Sequence, residues 1–344
     1  MHAIRLHAFG PAENLTYEKA EDPLPGPGQV RIAVAAAGVH LLDTALREGM
    51  PGPYSKQPEL PTIPGREVAG TVESLGEGTD PAWLGKRVVA HLGIPLPSGG
   101  HPRTPSGGYA ELAVTDAAKL HEIPAGLDEG QAVAMIGTGR TTMGILLFAD
   151  LRPDSVAIVP AAAGGIGTLL VQYAKNAGAT VIGLAGGPEK VARVRENGAD
   201  LAVDYKQSDW PDRVRAFLDG RQATIVFDSV GGDTARAAVD LLGHGGKHLV
   251  FGWSGQGLHA GGTLTFTAEE LAERGIVLES VLGPVMMQKA GGDNPLRVLE
   301  ERSLAEAAAG RLTPAVQRFP LAEAAAAHRA LETRGTMGKV VLVP

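Results

Sequence analysis

Cysteine is absent from the 344 residues, which excludes disulfides, thiolate zinc sites and cysteine nucleophiles together. Basic residues are in the minority, 31 Lys+Arg against 38 Asp+Glu for a net charge of −7, so the chain offers no cationic footprint for nucleic acid. No apolar run approaches the roughly 18 uninterrupted residues that a membrane span needs. The start, Met1 to Leu6, reads as a strand, with no apolar core and cleavage site behind it. A soluble, cytoplasmic protein is expected, with neither a membrane nor a nucleic-acid partner. What remains is ordinary for a folded chain: 44% hydrophobic and 20% charged residues, with Gly 47 and Pro 24. Glycine and proline together stay below the ~25–30% of low-complexity chains. The length suits one large domain or two moderate ones.

The first stretch, about 120 residues, is β-rich. Val30–Val34, Glu67–Val72 and Lys86–Ala90 are short β-branched runs separated by turn clusters such as Pro23–Gly28. Pro95 to Gly108 carries no helical or strand period. It reads as a long surface loop, either a lid or an insertion without function.

From about Leu127 the pattern changes to helices alternating with apolar strands. Val156–Val159, Thr180–Leu184, Ile225–Phe227 and His248–Phe251 read as strands, and Thr168–Asn176 and Glu189–Asn197 as helices. Such alternation demands parallel pairing, because each crossover helix returns the chain to the same end of the sheet. Two Ala-rich helices, around Ser303–Gly310 and Leu321–Thr333, precede a closing strand at Lys339–Val343.

The chemistry concentrates after Val159. Ala162, Gly164 and Gly167 form an A-x-G-x-x-G fingerprint between a strand and a helix. Gly164 lets the backbone approach a pyrophosphate, Gly167 lets the helix pack on the strand, and the helix tip offers unpaired N–H groups to the phosphates. The next strand runs into Ala185-Gly186-Gly187-Pro188-Glu189-Lys190. An NAD-type site would place an acid at that strand end. The glycines instead leave room for a 2′-phosphate, with Lys190 either its countercharge or a solvated lysine, while Glu189, close in sequence, counts against this unless the helix start points it elsewhere. NADPH is expected over NADH. Tyr205 follows a further strand, its hydroxyl either on the same phosphate or in water. The loops at Asp228–Gly232 and Phe251–Ser254 both follow strands at the carboxyl edge, where open α/β sheets bind ligands.

Ten histidines are present, and none forms a metal-type cluster by spacing. His40 lies close to Asp43 in sequence. The pair is either a proton relay, since imidazole titrates near neutrality, or a structural contact. Asp43 also suits the cap of a helix over 44–48.

Several stretches together resemble the medium-chain dehydrogenase/reductase superfamily, and most closely its zinc-independent NADPH:quinone oxidoreductase branch, the zeta-crystallin-like proteins. Besides Ala162–Gly167 they are Pro23–Gly28, Ala37–Asp43, Leu60–Gly70, Gly107–Glu111, Phe227–Gly232 and Gly335–Val341. The resemblance implies an α/β protein with a GroES-like β-rich domain over 1–122 and 285–344. A Rossmann doubly wound parallel-sheet domain is inserted over 123–284, and NADPH lies in the cleft. The family's phosphate and adenosine contacts map onto Gly164, Gly165, Ile166, Gly186, Lys190 and Tyr205. Its nicotinamide-side contacts map onto Thr141, Val230, Phe251, Gly252, Val281 and Lys339.

The zinc-bearing relatives carry a ligand cysteine where Val39 stands, a ligand histidine where Arg66 stands and a four-cysteine lobe near residues 95–108; this chain has none of these, so no zinc is expected. The family usually has Asn at His40 and often Tyr at Ala45, and Tyr54 is the candidate to take up that aromatic role. His40, Asp43, Tyr54 and Thr141 form the candidate catalytic set. The implied activity is direct hydride transfer from NADPH to a quinone or a related conjugated carbonyl. Two other readings stay open, an alkenal or enone reductase and an NADPH-binding structural or regulatory protein. A homodimer is implied, paired through the apolar strand at Ile276–Val281.

Overall fold

The computed structural model describes residues 1–50, 59–93, 107–252, 254 and 264–344. Tyr54, Trp253 and all of 94–106 lie outside them, so of the long loop only Gly107 and Gly108 are described. The chain opens with β1 (His2–Leu6) and β2 (Leu15–Lys19), an antiparallel pair. Then come β3 (Gln29–Val39), β4 (Glu67–Leu75), β5 (Arg87–His91), β6 (Leu112–Asp116) and β7 (His121–Glu122). The middle of the chain supplies β8 (Val156–Val159), β9 (Thr180–Ala185), β10 (Leu201–Asp204), β11 (Ala223–Asp228), β12 (Leu242–Val250) and β13 (Val277–Ser280). It closes with β14 (Val316–Pro320) and β15 (Lys339–Val343). Two compact units result, Met1–Thr138 with Pro314–Pro344, and Gly139–Thr313.

In the first unit the sheet order is β14-β15-β3-β4-β5-β7, with β6 also pairing β3. All pairings are antiparallel except β14 with β15. β3 runs five residues beyond the Val30–Val34 run. Its alternation of buried and partly exposed residues stops at Ala36, after which Ala36 to Val39 are all buried. A period of two marks a half-solvated strand and gives no signal where both faces are covered. The helix Leu41–Arg47 likewise begins three residues ahead of the expected Thr44. His40 is therefore the N-cap, and Asp43 sits inside the first turn, where its carboxylate accepts from the His40 backbone N–H at 2.8 Å.

In the second unit the sheet order is β10-β9-β8-β11-β12-β13, parallel throughout. Helices Gly165–Asn176, Pro188–Glu196, Trp210–Leu218, Gly232–Val239 and Ala268–Arg274 make the crossovers. All four residues of β8 are buried, as a central parallel strand covered on both faces requires. The strand order reverses between β8 and β11, the switch point at whose carboxyl side such sheets bind ligands. The helix expected near Ser303 starts earlier, at Pro295, because Asn294 caps it by accepting from the Arg297 N–H at 3.2 Å. Among the described residues no helix is long and apolar enough to cross a membrane.

Candidate active site

The loop after β8 is shaped by backbone crowding. Ala161 takes a left-handed φ of 53°, and its carbonyl accepts from the Gly164 N–H at 2.9 Å. A Cβ on Gly167 would lie 2.4 Å from that same carbonyl oxygen, so only glycine lets the helix start this close to the strand end. Gly164 is the N-cap of the 12-residue helix Gly165–Asn176 and supplies no side-chain cap. The amides of Gly165 and Ile166 are thus left pointing off a helix tip that carries partial positive charge. That is an anion cradle.

Beside it β9 ends at Ala185, and Gly186 and Gly187 lead into the helix Pro188–Glu196, whose third residue is Lys190. A Cβ at Gly186 would stand 2.7 Å from the Tyr205 hydroxyl. The bare glycine therefore gives the phenol its place. Farther along the same edge Asp228 organises the turn after β11. Its Oδ1 accepts from the N–H groups of Val230 and Gly231, both at 2.9 Å, while Oδ2 lies 3.0 Å from His248 Nε2. The Phe251 N–H donates to the Asp228 carbonyl at 2.8 Å, and the Val281 N–H to the Val250 carbonyl at 3.0 Å. Gly164, Gly165, Ile166, Gly186, Tyr205, Val230, Phe251, Gly252 and Val281 thus come together at the carboxyl ends of six parallel strands. Thr141 lies in the helix Arg140–Leu146.

The first unit holds a different feature, a charge cluster withdrawn from water. Glu67 opens β4 with no exposed surface. Its Oε1 is 2.5 Å from His40 Nε2 and 3.9 Å from His91 Nε2, and its Oε2 is 2.8 Å from Lys339 Nζ. Two glycines make the room: a Cβ on Gly137 would stand 1.7 Å from Oε1, and one on Gly38 2.4 Å from Oε2. Burial alone would raise the Glu67 carboxyl, but the charges of His40 and Lys339 outweigh it and hold the group well below its usual range. Burial lowers both His40 and Lys339, and Glu67 opposes the fall in each.

Sequence proximity had paired the His40 ring with Asp43. The ring meets Glu67 instead, because the extended backbone at the N-cap turns Asp43 back onto the main chain. Asp43 joins a neighbouring buried network, accepting from Arg66 Nε at 3.2 Å and from the Tyr109 hydroxyl at 3.2 Å. The same hydroxyl is 3.2 Å from His328 Nε2. Burial and then Asp43 push the Tyr109 phenol well above its ordinary value, and burial pushes His328 down to about 4. Lys339, expected beside a nicotinamide, has its ammonium engaged by Glu67. Glu67 and Tyr109 lie inside the resembling stretches Leu60–Gly70 and Gly107–Glu111 without a role assigned to them there, and His328 lies in none of those stretches. The usable sign was an ionisable residue at the head of the run Glu67-Val68-Ala69-Gly70, all of it buried, which requires a charged partner.

A β-rich unit built from both chain ends, together with a parallel sheet ending in a glycine-lined anion cradle, defines a nucleotide-dependent dehydrogenase fold. Residues 26–125 match the alcohol dehydrogenase GroES-like domain family and residues 165–289 the zinc-binding dehydrogenase family. The chain is 33% identical over 344 residues to a quinone oxidoreductase of Pseudomonas aeruginosa, covering 99% of each. It is 32% identical over 350 residues to a 2-haloacrylate reductase of a Burkholderia species, covering 99% of this chain and 98% of that one. The crystal structure of Escherichia coli quinone oxidoreductase complexed with NADPH superposes with a TM-score of 0.81 at 27% identity, covering all of both chains. The chain belongs to the medium-chain dehydrogenase/reductase superfamily, in its quinone oxidoreductase branch, and is an oxidoreductase.

The zinc named in one of these families does not fit the residues at hand. The chain has no cysteine. The buried carboxylates Asp43 and Glu67 already carry Arg66 and Lys339 as countercharges. Among the described residues no group of three or more His, Cys, Asp or Glu side chains is arranged to hold a metal ion.

Proposed function

We propose that this oxidoreductase binds NADPH and transfers hydride directly, without zinc, to a quinone or a related conjugated carbonyl. The observation that carries the reading is the helix tip at Gly164–Ile166, crowded by the Ala161 carbonyl so that Gly167 must lack a side chain. The NADPH-complexed relative, similar over its whole length, supports the choice of cofactor. When bound, the cofactor supplies the hydride from C4 of its nicotinamide ring.

The chain's own residues do the rest. The amides of Gly165 and Ile166 hold the pyrophosphate, and Gly186 makes space for the adenosine-side phosphate with Tyr205 and Lys190 as donors. Val230, Phe251, Gly252, Val281 and Thr141 line the nicotinamide side and keep water from the ring. Hydride arrival puts negative charge on the acceptor oxygen, which a donor stabilises and a proton then neutralises. His40 is that donor in its protonated form, with Glu67 as counter-ion on Nε2 and the second ring N–H giving its proton to the acceptor oxygen, supported by Asp43 at the helix start. Tyr54 is the remaining candidate. Conversion of His40 to Ala is expected to slow turnover and alter its dependence on pH; an unchanged profile removes His40 from the mechanism.

The similarity to a 2-haloacrylate reductase favours one second reading, hydride addition to an activated carbon–carbon double bond. The chemistry on the protein side is the same. A panel of quinones run beside conjugated enals, enones and haloacrylates separates the two readings. Fluorescence and melting titrations with NADPH and NADH test the cofactor assignment, and no response to either nucleotide would end it. We further read the protein as a cytoplasmic homodimer. β13 ends the sheet order with Val277 45% exposed, an apolar edge suited to pairing with a second copy.

A further inference from the structure

Lys206 follows Tyr205 in the turn after β10 and belongs to no motif of the sequence. Its backbone N–H donates to Asp204 Oδ1 at 3.0 Å, and the same carboxyl accepts a backbone hydrogen bond from Gly187. One carboxylate thereby ties the turn after β10 to the glycine turn after β9. The Tyr205 N–H adds a second tie, donating to the Ala185 carbonyl at 3.1 Å. The Lys206 stem consequently lies over Gly186: a Cβ there would meet Lys206 Cε at 3.1 Å, next to the Tyr205 hydroxyl at 2.7 Å. Nζ is one bond beyond Cε. The side chain is exposed, and among the described residues its ammonium forms no salt bridge. Lys175 and Lys339 of the same protein, by contrast, hold carboxylates at 2.8 Å. A cation is thus held beside a side-chain-free turn by its backbone, exposed and, among the described residues, in no salt bridge, with only the longer-range pull of Asp204 on its charge.

We propose that Lys206 is a specificity-determining residue that clamps the ribose 2′-phosphate together with Tyr205, opposite Lys190, and so selects NADPH over NADH. The proposal rests on the NADPH reading above and extends it to a residue which that reading does not use. A phosphate bound over Gly186 has the phenol hydroxyl and the Lys206 ammonium on the β10 side, and the first turn of the helix Pro188–Glu196 on the other. A ribose 2′-hydroxyl in the same place has no charge for Lys206 to meet. β9 itself ends without a carboxylate, Glu189 entering only in the first turn of the following helix, and Asp204 is committed to the N–H groups of Lys206 and Gly187. The two cofactors therefore differ in whether they bring Lys206 a charged partner beyond Asp204.

The test is equilibrium binding to the full-length protein at fixed low salt, read by nucleotide fluorescence and calorimetry. The probes are NADPH, NADH, adenosine 2′,5′-bisphosphate and adenosine 5′-monophosphate. Lys206→Ala is expected to weaken NADPH and the bisphosphate on the order of tenfold, the worth of one charge-assisted phosphate contact. NADH and the monophosphate should be unchanged, and Lys206→Arg should retain most of the affinity. The salt dependence of NADPH binding should also become shallower in Lys206→Ala. An exposed lysine is not needed for folding, and an unchanged melting temperature checks this. A wild-type protein without preference for the 2′-phosphate overturns the NADPH reading itself. A wild-type preference that survives intact in Lys206→Ala overturns the role of Lys206 alone.

Discussion

Lys339 Nζ lies 2.8 Å from Glu67 Oε2, with the two side chains 5% and 0% exposed. A buried pair of this kind is dangerous to halve, because the surviving charge keeps its desolvation cost and loses its partner. Glu67→Gln strands the Lys339 ammonium and is expected to lower stability by about 3–5 kcal/mol in urea denaturation. Adding Lys339→Met to the same protein should restore much of the loss. A Glu67→Gln protein within 1 kcal/mol of wild type would show that the carboxylate is not carrying that charge.

Gly167 is a second sharp position. Because the obstructing atom is the Ala161 backbone oxygen at 2.4 Å, no rotamer change relieves the contact. Gly167→Ala must push the helix tip off the strand, at a cost of about 1–3 kcal/mol or more. It should also weaken NADPH and NADH equally, since both carry the pyrophosphate proposed to sit there. Gly186→Ala crowds only the movable ends of Tyr205 and Lys206. It should leave stability near wild type and weaken NADPH selectively. Equal effects of the two variants on the two nucleotides would contradict this division.

His328 gives a prediction in pH. Its folded pKa is depressed to about 4 from 6.5, so the unfolded chain binds the proton first. The stability this confers is complete above pH 6.5, declines as pH falls through the window down to about 4, and is flat below. Its size is about 3 kcal/mol across that window. His328→Gln should therefore flatten part of the acid slope in a stability-against-pH series. A slope identical to wild type between pH 4 and 6.5 would rule the residue out as its source.

Features governed by neighbours in sequence are legible in the sequence itself. The strand–glycine–helix order at Val156–Asn176, the parallel alternation beyond it and the acid-free end of β9 all rest on local periodicity and local sterics. Element ends were read less well, because β3 loses its alternation where both faces are buried and the helix at Pro295 starts on a cap, Asn294, rather than on an apolar repeat. The substrate-side chemistry is the least legible in the sequence. His40 and Asp43 looked like partners because they are three residues apart, yet the imidazole turns to Glu67, 27 residues farther along.

Chain order alone established an α/β architecture with a glycine-marked helix tip after its first parallel strand, since a crossover helix and a side-chain-free turn are properties of short segments. Folding decided which charges meet. Glu67, Lys339 and His40 come from β4, β15 and the N-cap after β3, and β3 pairs with both of those strands. Lys206 reaches Gly186 because β10 and β9 are neighbours in the parallel sheet. Electrostatic partnership depends on distance through space and on burial, and neither is written in the order of residues along a chain.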